Sequence, residues 1–240
     1  RVCSSNDTLA AARDIGKVVA TASVRLGGDV LKFRPRVDTY VLNEHDWPHF
    51  TATQPYGLPN YYDRRLVMAG TPARFYGDLV ALVAAHLGDG AMRELRDVYG
   101  AGVDLAPFFT LTAVHEWCHG VHTQWGGQFV RKWLTEQFAS MCVQTYVEAY
   151  RPAQRAVLNT FPAVFARLPA ALFEHHTLAE FEELYSGVGA AAYAWFQCQF
   201  HVVSRRVYAA NGAAALVHLL HQLPKDTLLA EQLERRVSAP

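Results

Sequence analysis

The chain has 240 residues, 51% of them hydrophobic, and its 22 basic residues balance 22 acidic ones. That length supports a sizeable core, in one domain or two closely packed lobes. Zero net charge without a long run of either sign argues against a nucleic-acid-binding face. The longest apolar stretches, such as Leu79 to Leu87 and Val188 to Phe196, fall far short of the ~20 residues that span a bilayer. The expected partner is a peptide or small-molecule substrate, with no nucleic acid and no membrane.

Asp7 to Leu26 reads as a first helix that stops at Gly27-Gly28. An extended region follows, with Val37 to Leu42 and Leu66 to Ala69 as strands. Between them lies an aromatic loop rich in turn residues, running through Trp47-Pro48 and Tyr56-Gly57-Leu58-Pro59-Asn60. From Pro72 the pattern turns helical: Ala73 to Leu87, a break at Gly88-Asp89-Gly90, then Ala91 to Tyr99. Pro107 suits the first turn of a helix that continues through His122 and stops near Gly126-Gly127. Phe129 to Tyr150 is the next helix, ended by Arg151-Pro152, and Pro152–Leu168, Leu178–Tyr185, Ala190–Ala209 and Ala213–Leu223 complete the series. The pattern predicts a predominantly helical α+β fold in a single domain. A small strand-containing N-terminal lobe, about residues 1–105, packs on a helical lobe, residues 106–240, with the site between them.

Cys3, Cys118, Cys142 and Cys198 are too few and too scattered for a disulfide framework, and the last three read as small buried hydrophobes. The sequence opens on Arg1 and not Met, which points to residues upstream and leaves room for a cleaved signal peptide. A cytoplasmic location is slightly favoured over a secreted one.

The chemistry concentrates in His115-Glu116-Trp117-Cys118-His119. On a helix, residues i and i+4 share a face, so both imidazoles reach one metal ion, and Glu116 stands beside them as proton acceptor for a metal-bound water. Zinc suits such a set, because it takes nitrogen and oxygen ligands tetrahedrally and keeps one position open. Downstream comes Trp133-Leu134-Thr135-Glu136-Gln137-Phe138-Ala139-Ser140, with sixteen residues between His119 and Glu136.

An H-E-x-x-H followed by W-L-x-E-x-F-A-S resembles the gluzincins, zinc peptidases that include aminopeptidase N-like and thermolysin-like enzymes. The resemblance implies a zincin-like helical lobe and makes Glu136 the third zinc ligand. It also implies that a tyrosine opening a later helix donates to the oxyanion. Tyr193 fits that place best, with Tyr185 and His201 as alternatives. An edge strand above the metal would pair with substrate, and Leu66 to Ala69 is the candidate. The sequence departs from the family in having Gln137 where glycine is common, in a shorter interval than the aminopeptidases use, and in lacking G-x-M-E-N. The metzincins are a poorer match, since Trp125 stands where their third histidine would be and His122 where their glycine would be.

The expected protein is therefore a zinc-dependent metallopeptidase with His115, His119 and Glu136 on Zn2+, Glu116 as general base and Tyr193 as oxyanion donor. Two alternatives stand beside it. One is a zinc enzyme acting on a non-peptide small molecule, its pocket shaped by the Trp47 to Tyr62 loop; the other is a non-catalytic zinc-binding protein. His122, one turn beyond His119, reads as a packing or surface residue, with a donor supporting a metal ligand as the alternative. His45 and His49 read as loop residues, with the border of a cleft as the alternative, and His175, His176, His218 and His221 read as packing or surface residues.

Overall fold

A computed structural model describes residues 1–51, 54–125 and 129–222. Four short strands make one sheet: β1 (Val2–Ser4), β2 (Asp38–Leu42), β3 (Asn60–Tyr62) and β4 (Arg65–Ala69). Their spatial order is β1-β2-β4-β3, with β1, β2 and β4 parallel and β3 antiparallel to β4. Tyr61 stands opposite Leu66 in the β3–β4 pair. The hairpin turns through Asp63 and Arg64, both at positive φ (46° and 62°), as a turn matched to strand twist requires. The strand expected at Leu66 to Ala69 thus lies between β2 and β3, and the edges of the sheet are β1 and β3. β3 covers only Arg65–Val67 of β4, so the backbone left for a substrate is the outer edge of Asn60–Tyr62 and the uncovered end of β4 at Met68–Ala69.

Nine helices are described: α1 (Leu9–Ala22), α2 (Arg74–Tyr99), α3 (Ala106–Leu111), α4 (Ala113–Trp125), α5 (Lys132–Tyr150), α6 (Arg155–Phe165), α7 (Leu178–Leu184), α8 (Ala190–Asn211) and α9 (Ala214–Gln222). The expected turn at Gly126-Gly127 and the expected helix end at Leu223 lie outside the described residues. With its small sheet and long helices the fold is predominantly helical α+β.

The first helix does not stop at Gly27-Gly28. It passes into wider π-type turns over Ser23–Leu31 and ends at Lys32, which is left-handed (φ 55°). Gly27 serves a close approach: a Cβ there would lie 2.7 Å from the Phe33 carbonyl oxygen and 3.1 Å from the Trp117 ring. The glycine signal was real, but it marks packing against α4 and not termination. The break in α2 falls where glycine predicted it, at Gly88 (φ 71°, ψ −167°).

α5 is the central helix. From Trp133 to Val147 all its residues but Thr135 are buried, which fits a helix packed on several sides by α4, α6, α7, α8 and α9. Trp117, Trp133, Phe138 and Tyr146 are among the largest fully buried side chains of a core that draws on residues from Ala12 to Leu220. Cys118 and Cys142 are bonded to each other, so a disulfide ties α4 to α5. This corrects their reading as separate small hydrophobes. They are 24 residues apart in sequence, and only the antiparallel return of the chain brings them together.

Candidate metal centre

α4 presents His115, Glu116 and His119 inward, and α5 brings Glu136 against them. All four are buried, and Glu136 has no exposed surface. One donor atom each from His115, His119 and Glu136 lies within 4.8 Å of the others. His115 Nε2 is 3.0 Å from Glu136 Oε2, and His119 Nε2 is 3.7 Å from Glu136 Oε1. Zinc bonds of ~2.05 Å at tetrahedral angles would set ligand atoms about 3.3 Å apart, a value these distances bracket. Two imidazoles and a carboxylate are a borderline-soft set that suits zinc and leaves a fourth position open. The residues fit the ion.

Electrostatics shows what the set is without a cation. Burial opposes charge on His115, but the hydrogen bond to Glu136 and its negative charge outweigh burial and raise the imidazole pKa. Burial likewise opposes charge on Glu136, yet His119 and His115 hold its carboxyl well below the usual range. His119 is pushed down to about 3, chiefly by burial. The buried carboxylate thus demands positive charge from its surroundings, and a divalent ion meets that demand.

Supporting contacts orient two of the three residues, His119 and Glu136. The tautomer that frees Nε2 of His119 has Nδ1–H donating to His122 Nε2, 3.3 Å away. Burial holds His122 down to about 4, so it is a neutral acceptor. Of the two readings of His122 the geometry favours support of His119 over packing or surface, with His122 as acceptor and not donor. Glu136 accepts from the Tyr185 hydroxyl on Oε1 and, at 2.6 Å, from Gln197 Nε2 on Oε2. Tyr185 holds a positive-φ backbone (φ 53°, ψ −119°) that a non-glycine residue adopts only at a cost, and it does so where its hydroxyl meets the Glu136 carboxylate. Its role is therefore to hold Glu136.

Glu116 is not consumed by the ligand set. Burial pushes its carboxyl up to about 7, with Glu136 adding to the rise and His115 opposing it. It lines two adjoining cavities, and Tyr193, at the start of α8, lines both as well. Burial, then the charges of Glu136 and Glu116, keep the Tyr193 phenol protonated well above its ordinary range. Asn60 and Tyr61 of β3 wall the outer cavity opposite His119, and the Tyr61 ring lies 6.3 Å from the His119 ring. His201, the other oxyanion alternative, is two helical turns beyond Tyr193 and lines only the inner of these two cavities.

Gln197 went unread in the sequence, though its place one turn after Tyr193 puts it on the same helical face. The Gln137 departure has a local reason: its amide donates to Ser204 Oγ (2.7 Å) and to the Phe200 carbonyl (3.2 Å), tying α5 to α8. The remaining histidines stay away from the centre. His45 pairs with Asp46, His175 lies beside Glu180, and His221 packs on Trp125. Of the aromatic loop, Trp47 is buried with Leu42 and Val67, while Leu58 and Pro59 reach the cavities. No helix among the described residues is long and apolar enough to cross a membrane. Comparison with protein-family models, curated proteins and solved structures found no match.

Proposed function

We propose that this protein is a zinc-dependent hydrolase of gluzincin type, with a zincin-like fold, that cleaves peptide or related amide bonds. One observation carries the reading: the H-E-x-x-H histidines and the downstream Glu136 converge in a buried group, and Glu116 stands beside them without being used as a ligand. Zinc held there supplies Lewis-acid polarisation of the scissile carbonyl and acidification of water.

The chain's own residues do the rest. Glu116, with its carboxyl near neutrality, takes a proton from the attacking water and returns it to the leaving amine. Tyr193, a neutral phenol, donates to the carbonyl oxygen as negative charge develops on it. The free edge of β3 offers backbone groups to an extended substrate. Tyr185, Gln197 and His122 hold the ligands in place.

A second reading keeps the centre and replaces the peptide with a small molecule. It is supported by the cavity beneath Glu116, whose walls are largely apolar. A purely structural zinc site would use four protein ligands and have no need of Glu116. The disulfide supports an oxidising compartment over the cytoplasm.

The test is to strip the protein with a chelator, reload it with zinc, and challenge both forms with a mixed peptide library. Zinc-dependent cleavage is the expected result. One equivalent of zinc bound with every peptide intact, while small amides or esters turn over, would favour the second reading.

A further inference from the structure

Three cavities run together at the candidate centre. Leu58 and Tyr193 face all of them, Glu116 lines the inner and middle ones, and Gln54 and Ser186 line the middle and outer ones. The inner cavity is small, about 50 Å³, which is room for a few waters and too little for a stretch of chain. The middle one, at His119, has about 220 Å³ and the outer one about 320 Å³. An extended substrate therefore lies along the middle and outer cavities and crosses the mouth of the inner one.

Neither end of this groove is walled off. Thr123, which lines the middle cavity alone, is exposed, and so are Gly187 and Gly189, which line the outer cavity alone. A Cβ built at Gly189 would meet nothing within 4 Å, and one at Gly187 would meet only the Leu184 side chain at 3.6 Å, so that bank faces open space. The groove also carries no spare charge. Among the described residues that line the three cavities there is no lysine, arginine or aspartate, and the one glutamate is Glu116, the base. His115, His119 and His122 belong to the centre, and of the three cavities His201 lines only the small inner one. A free ammonium or carboxylate brought into the groove would give up water without gaining a counter-charge, whereas a blocked or continuing backbone has no charge to desolvate. A site that takes chain ends needs the reverse, a closed end with a fixed charge that holds the terminus.

We propose that the groove takes the interior of a polypeptide, a segment of uncharged residues with both chain ends outside the cleft, so that the enzyme is endo-acting. In assigning a bond to be cut, this rests on the hydrolase reading above. Water adds across an interior C–N bond, its hydroxyl to the acyl carbon and its proton to the amine, and each cut yields two peptides.

The test begins with binding, which does not depend on turnover. Zinc-loaded protein is titrated calorimetrically with a six-residue peptide of uncharged residues whose central amide is replaced by a ketomethylene group. Three forms are compared: both ends blocked, a free amine, and a free carboxylate. The blocked form should bind at least as tightly as either of the others. A free end that improves affinity tenfold, or no binding of the blocked form, would overturn the assignment. The cleavable peptide, blocked at both ends, should then be cut between interior residues. Lysine or aspartate beside the cut bond should lower kcat/KM at least tenfold, and a rate indifferent to that charge would overturn the preference for uncharged segments. Single residues released from a free end, with the blocked peptide intact, would sink this proposal and leave the hydrolase standing. The blocked ketomethylene peptide bound, with no peptide of any form cut, would sink the hydrolase and uphold the groove as a site for chain interiors.

Discussion

Helices α4 and α8 wall the same space, and both do so with polar residues one turn apart: His115 and His119 on the first, Tyr193, Gln197 and His201 on the second. Their helical geometry is the same, but their legibility in the sequence is not. Two histidines flanking a glutamate at i and i+4 describe a donor set with few uses other than a metal. A tyrosine, a glutamine and a histidine at the same repeat have many uses, and an apolar helix offers each an innocuous place in the core. Spacing says which side chains share a face; only donor chemistry says what the face is for.

The largest expected effect tests the α4 side. Glu116→Gln should lower kcat by about 10²- to 10⁴-fold, since the site loses its proton acceptor. Zinc content, measured on the same preparation, should stay at the parental level because Glu116 is not a ligand. Zinc lost together with activity would move Glu116 into the ligand set and erase the distinction between donors and base. Next comes the α8 side, with Tyr193→Phe. Removing the phenol oxygen while keeping the ring should lower kcat by about 10²- to 10³-fold, with KM and zinc content little changed. A near-parental kcat would return Tyr193 to a packing role.

The two sides also differ in how they are anchored. α4 is joined covalently to α5 through Cys118 and Cys142, whereas Gln137 and Gln197 tie α5 to α8 by hydrogen bonds. By loop entropy, a cross-link over a 24-residue separation is worth about 3.5 kcal/mol. The Cys118→Ala/Cys142→Ala double variant should lose about that much in denaturant unfolding. An unchanged midpoint would mean that the thiols are not bonded in the protein as isolated.

What the sequence made legible follows the same division. Most helices of the second half, the break at Gly88 and strands β2 and β4 were readable because each carries a local signal: apolar periodicity, a glycine pair or a β-branched run. The single helix expected from Pro107 through His122, however, breaks at Thr112 into α3 and α4. β3 was not, because its hairpin turns on Asp63-Arg64 and lacks the asparagine-glycine pair that announces such a turn. Gly27 misled because glycine signals both helix ends and close packing, and only Trp117 across the interface tells them apart. The disulfide was hidden because its partners become neighbours only once α4 and α5 fold back on each other. His122 was the opposite case: its distance from His119 was clear from the spacing, but its use depended on a burial that the sequence does not display.

The smallest expected effect bears on whether α8 supports the metal at all. Gln197 Nε2 donates to Glu136 Oε2 at 2.6 Å, on the same oxygen that faces His115, while the Tyr185 hydroxyl donates to the other oxygen. Together the two donors fix the plane of a carboxylate that would otherwise rotate about its terminal bond. Gln197→Leu keeps the bulk and removes one of them. Losing an outer contact of this kind typically weakens metal binding by about 10- to 100-fold. Competition with a chromogenic chelator reads that change directly. Glutamate at the same position is the sharper probe, since it matches glutamine in shape but sets a second negative charge against Glu136. Gln197→Glu should therefore weaken zinc binding more than Gln197→Leu unless the new carboxyl stays protonated, and raising the pH should widen the gap between them. If both variants hold zinc as the parent does, Tyr185 alone suffices to orient Glu136, and the contribution of α8 is confined to Tyr193 and the pocket wall.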